Sequence, residues 1–124
     1  MENKKMNAEE VKKAIAEQVE KNKAGVMKLK KPMRAGGKDL TELMYDFSEL
    51  TAWEYAAALD SDANNTNSFR LSKRQAVALF AAAAAKKTPE VDEKDVKERL
   101  SIEDGIQAAN IATVFFICAS RAGE

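Results

Sequence analysis

Histidine is missing from this chain altogether, and cysteine and tryptophan occur once each among 124 residues. Without histidine there is no Ser–His–Asp triad and no imidazole metal site, and a lone cysteine without histidine makes a poor thiol nucleophile. Cys118 has no partner for an internal disulfide and stands in an apolar run, where cysteine behaves as a small hydrophobe; that favours a reducing compartment. Long apolar runs are also scarce. The longest strongly apolar one, Ile111 to Ala119, is about nine residues, against the roughly 20 of a membrane-spanning helix. The N-terminus, MENKKMNAEE, lacks the apolar segment of a signal peptide. A soluble protein without a membrane partner is therefore expected. Aromatics make up 6% of the chain while alanine is abundant, so the expected core is helical and closely spaced.

What is present fits one globular domain: 45% hydrophobic and 32% charged residues in a length that supports a single modest core. Net charge is zero but unevenly spread. Residues 1–39 sum to +5, residues 40–69 carry six acids and no base, and residues 70–124 sum to +1. This segregation either neutralises itself, within the fold or between copies, or binds an anionic partner. Neither end is one-signed enough for a nucleic-acid footprint.

The chain is organised around Leu40–Leu59. Thr41, Leu43, Tyr45 and Phe47 alternate with Glu42, Met44, Asp46 and Ser48, the period of a half-buried strand. Thr51 and Glu54 then have capping-box spacing ahead of an apolar helix. Upstream, Val26–Pro32 reads as a strand with Met27 and Leu29 on one face, Pro32 without an amide marking an edge or a strand end, and Gly36-Gly37 supplies the turn of a β-hairpin. Asn7 and Glu10 open a first helix that ends near Gly25, with a stripe of only Ala8, Val11, Ile15 and Val19. Residues 1–25 are expected as an amphipathic helix, loosely attached, and residues 26–124 as one α-helical domain with a hairpin. DSDANNTNS after Leu59 is a surface loop.

Two further boxes, Ser72/Gln75 and Asp92/Asp95, open an alanine-rich helix that stops before Pro89 and a short helix to about Leu100. Ser101 caps the last helix. At 100° per residue, Ile102, Ile106, Ala109, Thr113, Phe116 and Ile117 share one face, expected to be core. Ile111, Val114, Phe115 and Cys118 fall opposite and are the candidate partner-binding residues. The fold class is mainly α with a small N-terminal β-hairpin followed by a bundle of about four helices.

Several chemistries fail on particular residues. DSDANNTNS offers oxygens at alternate positions, but lacks the sixth-position glycine and twelfth-position glutamate of an EF-hand. Gly36-Gly37-Lys38 lacks the upstream glycine and following hydroxyl of a phosphate loop. The helix after Ser72 has basic residues only at its ends, unlike a DNA recognition helix. No catalytic motif is present, so a non-enzymatic interaction module without cofactor or metal is expected.

Taken in order, these segments resemble the tail assembly chaperones of long-tailed, siphovirus-type bacteriophages and prophages. The resemblance rests on extended Leu29-Lys30-Lys31-Pro32, the Gly37-Lys38 turn and Asp46-Phe47-Ser48-Glu49-Leu50-Thr51 leading into a helix. An alanine-rich helix and an apolar C-terminal helix follow, so that it covers roughly residues 26–119. The chain departs from the pattern at Ala52-Trp53-Glu54-Tyr55, where the family often has glycine and an acid, and in its extra N-terminal helix. The resemblance implies a protein of the bacterial host cytoplasm that coats the tape measure protein, recruits tail tube protein around it, forms homo-oligomers and is absent from the mature virion. A small DNA-binding regulator and a structural head–tail completion protein are the alternatives.

Overall fold

The β-hairpin and its flanking caps form where local chemistry places them. In the computed structural model, which describes residues 7–67 and 70–122, α1 (Ala8–Asn22) leads into strands β1 (Ala24–Ala35) and β2 (Lys38–Asp46). A single 3-10 turn at Phe47–Glu49 follows, then α2 (Ala52–Leu59), α3 (Lys73–Lys87), α4 (Glu93–Arg99) and α5 (Ile102–Ala122). The fold is 60% helical with one two-stranded antiparallel hairpin, the expected class. Ser68, the last residue of the loop after Leu59, lies outside the described residues, as do 1–6 and 123–124 of the expected domains.

Capping boxes are formed at Thr51/Glu54, Ser72/Gln75 and Asp92/Asp95, each side chain taking an orphan amide of its first turn. Asn7 caps α1 through the Glu10 amide. Gly36 and Gly37 adopt φ of 58° and 77°, the left-handed pair that a two-residue hairpin turn requires.

β1 does not end at Pro32 but continues to Ala35, and Pro32 sits on an edge strand, the other of the two places its missing amide allows. The register runs Val26↔Met44, Met27↔Leu43 and Lys28↔Glu42, then jumps to Met33↔Leu40. Leu29 to Pro32 thus bulge out against the single residue Thr41, and a proline inside a bulge forfeits no ladder bond. Strand pairing resumes beyond it.

One face of the hairpin is core. Met27, Met33, Ala35 and Leu43 are buried, while the adjoining pair Val26 and Met44 points outward. The inner face packs on α3, which is the centre of the molecule and buries Gln75, Ala76 and every residue from Ala78 to Ala84. Small side chains let α2, α4, α5 and the hairpin approach it closely. α1 lies along α5 and the start of β1, with none of its residues fully buried.

Part of the charge segregation cancels within the fold. Lys28 meets Glu42 at 3.1 Å across the hairpin, while Arg34 meets Asp39 at 3.2 Å inside the basic segment itself. Lys86 and Lys87 reach Glu54 and Glu49 at 2.8 and 3.5 Å. Most of these partners are substantially exposed, so they align surfaces more than they stabilise the fold.

Candidate partner-binding surface

The surface is set by how α5 is rotated, and that rotation is fixed at its first turn. Asp104 is fully buried and its carboxylate accepts hydrogen bonds from the backbone amides of Lys30 (2.8 Å) and Lys31 (3.1 Å) and from the Ser101 hydroxyl (2.8 Å). Those amides are freed by the β1 bulge. Burial pushes the Asp104 carboxyl up, but the two amides, the Ser101 hydroxyl and the Lys30 charge outweigh it, so it titrates below the ordinary aspartate value.

With Asp104 inward, Ala108, Ala109, Ala112 and Phe116 are buried with it, and Ile111 and Phe115 pack against the core. The expected core face is therefore corrected. Ala109 and Phe116 are core, and Thr113 is half-buried, but Ile102 and Ile106 are 82% and 58% exposed and Ile117 is also exposed. The reason is steric. α5 packs on the alanine surface of α3, where small residues allow close approach and bulky isoleucines hold the helices apart.

The four candidate residues divide. Val114 is exposed and Cys118 half-buried, whereas Ile111 belongs to the packed periphery of the core. Phe115 stacks on Phe47, with ring centroids 4.5 Å apart and planes at 11°. Both rings line an apolar groove of about 370 Å³ between the start of α2 and the end of α5, with Leu50, Tyr55, Ala119 and Phe116. Burial pushes the Tyr55 phenol above the ordinary tyrosine value. On α2, the turn that opens the groove carries Trp53, 84% exposed and the chain's only tryptophan. Trp53 and the exposed Ile102, Ile106 and Ile117 lie outside the sequence-based site. An unpaired large aromatic two residues after a helix cap was the available signal for the first.

By length and composition, Ile102–Arg121 is the one helix among the described residues apolar enough to cross a membrane. One face of it packs on α3, and its first turn is bonded to β1.

Comparison of the chain with known protein families, with curated proteins and with solved structures returns no match.

Proposed function

We propose that the chain is a tail assembly chaperone of a long-tailed bacteriophage or prophage, which holds the tape measure protein and helps tail tube subunits assemble around it. The observation carrying this reading is the open apolar groove floored by Phe115 and Phe47, with the exposed Trp53 on the adjoining turn. A groove of this kind suits the apolar face of a helix, read at i, i+3 and i+4, and a tape measure protein is a very long helical client. The exposed isoleucines of α5 add apolar surface beyond what a solitary small domain needs. In this reading the protein acts in the host cytoplasm and leaves before the tail is complete.

The test is co-expression with the tape measure protein of the same genome, capture of that protein, and titration with an apolar helical peptide from it while Trp53 emission is followed. The expected result is capture and a blue shift, both lost in Ala119→Glu, which places a charge in the groove. No capture and no shift would overturn the proposal. Presence of the chain in purified particles would make it a structural head–tail component, and retention on DNA at physiological salt a regulator.

A further inference from the structure

The outer face of α5 carries a second surface, separate from the groove. Ile102, Ile106, Asn110, Thr113, Ile117 and Arg121 follow one another at spacings of four, four, three, four and four, which is a continuous seam along a helix. Ile102, Ile106 and Ile117 are exposed with α1 already in place. Between Glu103 and Arg121, α5 bears no charge except Asp104, which is buried. An exposed apolar seam thus ends in an acid at one end and a base at the other.

We infer that this seam is the interface between two copies of the chain, paired antiparallel through α5. The pattern is its own complement over its four central residues, and at each end it lays Ile102 on the aliphatic stem of the partner's Arg121. A two-fold axis between Ile111 and Ala112 sets Ile106 on the partner's Ile117 and Asn110 on the partner's Thr113, each contact occurring twice, as in any isologous interface. It also brings Glu103 beside the partner's Arg121, and opposes the two helix dipoles. A parallel pair would put Glu103 on Glu103 and Arg121 on Arg121. Lys30, at 3.8 Å from Glu103, is exposed, as is Glu103 itself, so this contact holds Glu103 weakly and leaves its outer side open. The central Asn110 and Thr113 fix the register, the role polar seam residues take in helix pairs. A helix of 21 residues is about 31 Å long. The buried area is then at the low end for a specific interface, and the dimer is concentration-dependent rather than permanent.

Sedimentation equilibrium of the full chain across the micromolar range tests this, with thermal melting followed at dilution for every variant. The wild-type chain dimerises. Ile106→Asp, at a site exposed in the monomer, raises the dissociation constant by about tenfold or more and leaves the melt of the dilute protein unchanged. Glu103→Arg and Arg121→Glu each weaken the dimer several-fold, and the two combined in one chain restore it. Trp53 emission does not change on dimerisation, because Trp53 is not on the seam, so the dimer and client binding can fail independently. A monomer at all concentrations, a dimer indifferent to Ile106→Asp, or charge reversals that combination does not rescue would each overturn the inference.

Discussion

Replacing Asp104 with alanine should be the most damaging single change at the surface-defining end of α5. The side chain is fully buried and serves as acceptor for two β1 amides and one hydroxyl. Hydrogen bonds to a charged acceptor contribute about 1.5–3 kcal/mol each, and an amide left unsatisfied in a buried place costs about 1–3 kcal/mol. Lys30 and Lys31 are themselves exposed residues, so water replaces part of what is lost. A net loss of about 2–4 kcal/mol is expected, a large share of the ~5–15 kcal/mol available to a domain. In a chain of this length that lowers the melting temperature by about 10 °C. Asp104→Asn, which keeps one acceptor oxygen, should fall between. The acid limb is a second readout. A carboxyl whose folded-state pKa is depressed contributes stability that is fully present above its unfolded value of about 3.9, and loses it as pH falls through the folded one. Acid unfolding below about pH 4 should therefore be shallower in Asp104→Asn than in the parent. An Asp104→Ala melt within about 2 °C of the parent would refute the clamp, since even one unsatisfied amide exceeds that.

Thr88→Val should cost about 1–2 kcal/mol, because the Thr88 hydroxyl accepts from the Met44 amide (3.0 Å) and donates to the Met44 carbonyl (2.8 Å). It should also open the β2 edge to pairing with other chains, visible as light scattering on warming. Phe115→Ala removes the stack on Phe47 and should destabilise by about 2–4 kcal/mol in urea titration; a loss under about 0.5 kcal/mol, the range of ordinary surface changes, would mean that Phe115 is free surface after all.

The helix starts were legible because a capping box is written entirely in local sequence. Thr51/Glu54, Ser72/Gln75 and Asp92/Asp95 need no tertiary partner, and all three are formed. The hairpin was legible for the same reason, from alternation around Leu43 and a Gly-Gly turn. The bulge at Leu29–Pro32 was not, since its stability comes from Asp104, 74 residues away from Lys30. The rotation of α5 differs from the expected one because large aliphatic residues mark a core face in sequence, and Ile102, Ile106 and Ile117 stand exposed instead. Helical periodicity reports that a helix has faces, but the identity of the buried one depends on the shape of its neighbour. Opposite an alanine surface, Ala108 and Ala112 are the better core residues and Ile102 and Ile106 the worse.

The second half of α3 has a mechanical consequence. Beyond Leu79 and Phe80 it presents only alanines up to Ala85, and methyl groups interlock too shallowly to stop one helix gliding past another. Such a shaft resists squeezing but not sliding, so its axial position has to be pinned at the ends. At one end the Gln75 amide donates to the Leu59 carbonyl at 2.9 Å, and its oxygen accepts from Asn65 and from the Ser72 amide. At the other, Thr88 is bolted to the Met44 backbone. Loosening either pin would free a shear motion between α3 and its neighbours, displacing the packed layers along the shaft while leaving every helix whole.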